Sequence, residues 1–150
     1  MNNKMLMGLV AVFVAAVAYV ILQPNKPGAP QGMVREDTSS TEQGAALANV
    51  KVPAEFSADA LIGKRGFEAK CAVCHGINAA GQNGIAPPLV DNIYRPGHHS
   101  DMAFVIAAKN GVRSHHWKFG NMPAIKGLTD ADVKYIARYI RELQQENGIN

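Results

Sequence analysis

Residues 57–150 of this sequence predict an all-α domain, and the residues before them predict one apolar helix and a linker. Three observations carry the prediction. Apolar residues recur at helical spacing through Val133, Ile136, Ala137, Ile140 and Leu143. Helix-start signatures stand at Ser57, Ser100 and Thr129. No alternating strand pattern surrounds the paired cysteines at 71 and 74.

The first element is the run from Met5 to Leu22, which carries no charged residue. As a helix it would be about 27 Å long at about 1.5 Å per residue, close to the roughly 30 Å of a bilayer's hydrocarbon core. Lys4 precedes it and no charge follows until Lys26, so the positive flank assigns this end to the cytoplasm. Residues 1–22 thus read as an N-terminal transmembrane anchor. The competing reading is a secretory signal cut after Ala16-Val17-Ala18, which would leave Tyr19–Leu22 as an apolar stub. The run is longer than the usual signal core of about 7–15 residues, and this favours the anchor. An anchored chain would be a single-pass protein of the inner (cytoplasmic) membrane with its domain on the periplasmic side. A cleaved one would be soluble in the periplasm.

Residues 23–56 read as a flexible linker, with Pro24, Pro27, Pro30 and Pro53 among Gly, Gln, Ser, Thr and Asn. Such a tether reaches about 30–35 Å, at roughly 5–6 Å times the square root of its length. The composition of residues 45–52 leaves open whether they order against the domain.

The domain then opens with a helix capped by Ser57, with Phe56 and Leu61 at the two positions of a hydrophobic staple. Gly63 within this helix costs about 1 kcal/mol relative to Ala, a cost that points to close packing of another backbone there. A second helix follows Ser100 and stops at Asn110-Gly111. The last begins at a capping box, Thr129 with Asp132, and ends at Asn147-Gly148. Arg138, Arg141 and Glu142 fall on its polar side.

Cys71-Ala72-Val73-Cys74-His75 holds the two cysteines of the chain. C-x-x-C-H is the attachment pattern for c-type haem. Residues three apart share a helix face, so both thiols can add to the two vinyl groups of one porphyrin, and His75 follows where its imidazole reaches the iron. A structural zinc site would need about four ligands and a second pair. A redox dithiol would need a βαβ setting. A disulfide between Cys71 and Cys74 would be strained and close almost no loop. The segments 76–99 and 111–128 are long for a compact domain, and a haem between them explains their length.

These residues resemble class I cytochrome c from about Ser57 to the end. Gly63 and Phe67 precede the first cysteine, CAVCH follows, then Ala86–Leu89 (APPL), Asn121–Pro123 (NMP), and a terminal helix bearing Tyr135 and Tyr139. The resemblance implies a cytochrome c fold around one covalent haem, its first and last helices crossing near Gly63. It implies Met122 as the second axial ligand, a reading that its isolated place in a Gly-Asn-Met-Pro loop supports; Met102 lies in a helical apolar stretch and reads as core. It also implies that the carbonyl of Pro87 accepts the proton of the His75 Nδ1, although Pro88 beside it leaves that assignment open by one residue. Trp117, the one tryptophan, is a candidate donor to a haem propionate, and reads equally as a core residue with a different partner. Tyr94, Arg95, Arg113 and Lys118 are further candidates, for each of which a solvated surface group is the favoured reading.

His98-His99 and His115-His116 are two adjacent pairs outside this scheme. A second metal such as copper is one reading, loop hydrogen bonding another, and replacement of Met122 as distal ligand a third.

The function these features predict is electron transfer between redox proteins at a membrane, without catalysis: with His75 and Met122 both bound, iron has no open position. The alternatives are a haem subunit of a larger dehydrogenase or oxidase, and a ligand-binding or peroxidatic haem with a labile Met and an accessory histidine metal site. The chain's net charge is +3, and residues 57–150 hold 11 Lys and Arg against 8 Asp and Glu, the same +3. That mild excess suits salt-sensitive docking to acidic proteins and gives no basis for nucleic-acid binding.

Overall fold

A computed structural model describes residues 42–150. The apolar run at 5–22 and most of the proline-rich linker lie outside the described residues. Among the described residues no helix is long and apolar enough to cross a membrane.

Among the described residues four α-helices make up the frame: α1 (Ala58–Lys70), α2 (Ala72–His75), α3 (Asp101–Asn110) and α4 (Asp130–Glu146). Short 3-10 turns at Ile77–Ala79 and Asn92–Tyr94 interrupt the first long loop. Extended pairing among the described residues is limited to two isolated bridges, Gln82 with Ala86 and Val112 with Met122.

The caps fall where the sequence places them. Ser57 Oγ accepts from the Ala60 N–H at 3.2 Å. Thr129 and Asp132 close a reciprocal box, Thr129 Oγ1 accepting from the Asp132 N–H at 3.2 Å and Asp132 Oδ2 from the Thr129 N–H at 2.8 Å. Each satisfies N–H groups that a helix start leaves unpaired. The staple expected of Phe56 and Leu61 takes another form. Leu61 remains 43% exposed, and the Phe56 ring packs on Tyr139, centroids 5.2 Å apart.

α1 crosses α4 at Gly63. A Cβ added there would lie 1.8 Å from the Tyr135 carbonyl oxygen and 2.9 Å from the Ile136 nitrogen. The absent side chain thus lets the two backbones touch. Around the crossing Phe67, Ile136, Tyr139, Ile140 and Leu143 form the core. The Tyr139 hydroxyl donates to Asn78 Oδ1 at 3.1 Å. This bond ties α4 to the loop after the cysteines.

Arg141 departs from the reading of the sequence: it is buried at 6% exposure, not on a solvent face. The loop at 92–100 and the first residue of α3 supply its partners. Nε donates to Asp101 Oδ1 at 2.7 Å, Nη1 to the Tyr94 carbonyl at 2.6 Å, and Nη2 to the His99 carbonyl. A guanidinium has five donors in a fixed fork, so it can gather several carbonyls of one loop. Gln144, fully buried beside it, donates to the Leu89 carbonyl at 2.8 Å. Two polar side chains of α4 therefore hold the long loop onto the helix.

The stretch the sequence leaves open, 45–52, is bonded to the domain. Ala48 N–H donates to the Ala80 carbonyl at 3.0 Å. Asn147 exchanges two hydrogen bonds with the Lys51 backbone, at 2.9 and 2.7 Å. Within α3, Val105 and Ala108 turn inward while Met102 is 50% exposed, so Met102 is not the core residue its apolar surroundings predict.

Candidate functional site

A cavity of about 610 Å³ opens between α1, α3, α4 and the two loops. Its size falls within the roughly 300–1,000 Å³ usual for cofactor sites. Phe67, Leu89, Phe104 and Ile140 are among its apolar lining residues. Cys71, Cys74, His75, Pro87, Trp117 and Met122 all line it. Residues that sequence spacing treats separately are thus brought to one space.

The turn carrying both cysteines is short and firmly closed. His75 N–H donates to the Cys71 carbonyl at 2.9 Å. Gln82 Nε2 reaches back to the carbonyls of Val73 and Cys74 at 2.9 and 3.0 Å, satisfying groups that the end of α2 leaves open. Sequence reading misses Gln82, because its role depends on the loop returning across the turn. Burial, and then the neighbouring Cys74, push the Cys71 thiol up to about 11. A redox-active cysteine needs the opposite, a depressed value that makes it a thiolate.

His75 is buried, and its Nδ1 lies 2.9 Å from the Pro87 carbonyl oxygen. A carbonyl only accepts, so Nδ1 carries the proton and Nε2 keeps its lone pair for a metal. Burial holds His75 below the usual histidine range, partly offset by the bond to Pro87. Gly81 makes this approach possible: its φ is +72°, and a Cβ there would meet the Pro88 nitrogen at 2.4 Å.

Met122 is fixed from the other loop. Its backbone exchanges hydrogen bonds with Val112 at 2.9 and 3.0 Å. Gly111, at φ +75°, admits the Met122 carbonyl where a Cβ would stand 2.5 Å away. Asn121 Oδ1 accepts from the Ser114 N–H at 3.0 Å, closing the loop on itself. Met102 does not line the cavity.

Trp117 stacks on Phe119, centroids 5.7 Å apart, and its Nε1–H is buried without a hydrogen-bond partner. Burial pushes the Tyr94 hydroxyl up to about 12 despite the nearby indole, whose N–H pulls the other way without reaching hydrogen-bond geometry. An unpaired buried donor costs about 1–3 kcal/mol. The carboxylate of a haem propionate is the acceptor that would remove this cost. Two thiols, an imidazole with a free Nε2, a thioether and an orphaned indole N–H together fit a haem in this cavity. Of the other candidates, Arg113 reaches the rim, Arg95 bonds the Asn92 carbonyl at 3.0 Å, and Lys118 is exposed and outside the lining. The paired histidines meet at the cavity mouth, which His99, His115 and His116 help to line.

Comparison with known proteins points to the same cofactor. The family model described as cytochrome c matches residues 60–144. The chain is 34% identical over 103 residues to cytochrome c6 of Picosynechococcus sp., an alignment covering 61% of this chain and 80% of that protein. The chain belongs to the cytochrome c family, and its cofactor is a covalently attached c-type haem.

Proposed function

We propose that this member of the cytochrome c family is a membrane-tethered carrier of single electrons on the extracytoplasmic side, with His75 and Met122 as its two axial ligands. The observation that carries the reading is that both side chains line one cavity, each anchored by backbone hydrogen bonds. The haem supplies the one-electron ferric–ferrous couple.

The chain's own residues supply the rest. Cys71 and Cys74 hold the cofactor on the α1–α2 turn. The Pro87 carbonyl fixes the ring of His75 and raises its basicity. Met122 as a ligand favours the ferrous state and raises the potential relative to a second imidazole. With His75 and Met122 both holding the iron, no position would be left for substrate, so the role is relay rather than catalysis. The buried, unpartnered N–H of Trp117 would donate to a propionate.

Docking uses the face where the cysteines emerge. Val73 and Ile77 are 77% and 81% exposed beside Cys74, an apolar patch suited to a small contact. Electron-transfer interfaces are typically under about 1,200 Å². The net +3 charge makes acidic redox proteins the matching donor and acceptor, bound more weakly as salt rises. An N-terminal anchor and linker would raise the effective concentration of the domain near membrane partners.

Met122→Ala tests the ligand assignment. The near-infrared charge-transfer band of Met-ligated ferric haem should disappear while the covalent haem is retained. Survival of the band would place the sixth ligand elsewhere.

A further inference from the structure

Four histidines take no part in the relay, yet the fold gathers them. Residues 98–99 precede α3 and residues 115–116 follow it, so nothing local forces the pairs together. Their rings nevertheless meet. The His98 and His116 centroids lie 5.4 Å apart, His99 and His116 5.5 Å, and His115 and His116 4.2 Å. Three of them, His98, His99 and His116, present ring nitrogens that all lie within 4.8 Å of one another.

We propose that His98, His99 and His116 form a second metal site, which takes one divalent transition-metal ion through three imidazole nitrogens and prefers copper(II). Nitrogens bound to one such ion at about 2.0–2.1 Å stand roughly 3–4 Å apart. Small rotations of the exposed rings of His98 and His116 close the remaining gap. His99 is the fixed member. Its Nδ1 lies 2.7 Å from the Ile93 carbonyl, so Nδ1 carries the proton and Nε2 is left with a lone pair. This is the arrangement His75 has with Pro87, and a carbonyl behind the ligand ring is a usual support for a metal-binding histidine. The backbone of His99 is held as well: its N–H donates to the Arg95 carbonyl at 2.9 Å, and its carbonyl accepts from the buried Arg141.

The donor set decides the metal. Three imidazoles and no carboxylate suit copper, nickel or zinc and not calcium or magnesium. Among divalent ions of the first row copper(II) binds such nitrogens most tightly. Three protein ligands leave a position for water or an added ligand. The site is at the rim of the haem cavity, distinct from the iron ligands, and it stands whether or not the relay reading holds.

The test is a copper(II) titration of the full-length, haem-loaded protein in detergent at neutral pH, followed by electron paramagnetic resonance. One equivalent should bind, with hyperfine splitting from several nitrogens, while the haem absorption stays unchanged. The double variant His98→Gln, His116→Gln should keep its haem spectrum and bind copper at least about 100-fold more weakly, since even supporting partners of a metal ligand are worth about 10–100-fold. Failure to bind one equivalent, or equal binding by the variant, would overturn the proposal. So would loss of the methionine–haem band on adding copper, which would put the metal's effect at the iron.

Discussion

Replacing Cys71 and Cys74 together with alanine is expected to leave a haem-free chain with no fixed tertiary structure. The cavity these residues line measures about 610 Å³. At about 24 cal/mol per Å³, leaving it empty costs up to roughly 15 kcal/mol, an upper bound because water enters through the mouth. A whole domain has only about 5–15 kcal/mol of stability. The core cannot compensate, because Phe67, Ile136 and Ile140 face the cavity as well as one another. Near-UV circular dichroism of the purified double variant should be flat, with a broad thermal transition. A native-like near-UV spectrum in a chain shown to lack haem would contradict the expectation.

The second large effect is expected at Gly63. Alanine gains about 1 kcal/mol of helix propensity over glycine, so on local grounds Gly63→Ala would stabilise α1. The crossing reverses the sign. Its new Cβ would stand 1.8 Å from a backbone oxygen of α4, which no side-chain rotation relieves. The helices must separate by more than 1 Å along their main contact, at a cost of about 3 kcal/mol or more. Gly66→Ala, one turn on, is the matched control. Its Cβ would meet only the Ile136 side chain, at 3.2 and 3.3 Å, and that side chain can shift. Urea denaturation of the haem-loaded proteins should show a large fall in midpoint for Gly63→Ala and a small change for Gly66→Ala. Equal midpoints for the two variants would remove close backbone contact as the reason for Gly63.

What the sequence reveals about this molecule depends on how local the cause is. The caps at Ser57 and Thr129, the end of α3 at Gly111 and the C-x-x-C-H turn are decided within a few residues, and all can be read directly. Gly63 is legible indirectly, through a propensity cost that needs a reason. Arg141 is not. By periodicity it falls with Arg138 and Glu142 on the polar side of α4, and its burial depends on a segment some 40 residues earlier in the chain folding over it. Met102 fails for a related reason: its helix is apolar on several sides, and packing against α4 selects Val105 and Ala108. The histidine pairs can be seen in the sequence, but their meeting cannot, because it requires both loops to be closed around one cavity. Gln82 gives no advance signal, since a glutamine in a loop has no preferred partner until the loop's path is set.

If His75 and Met122 hold the iron of one haem together, as proposed, the protein passes electrons and binds no substrate at the iron. Carbon monoxide added to the reduced native protein at neutral pH tests this most directly. An unchanged visible spectrum is expected, because Met122 keeps the sixth position. Rapid, full conversion to a carbon monoxide complex would show an open or labile position and contradict it.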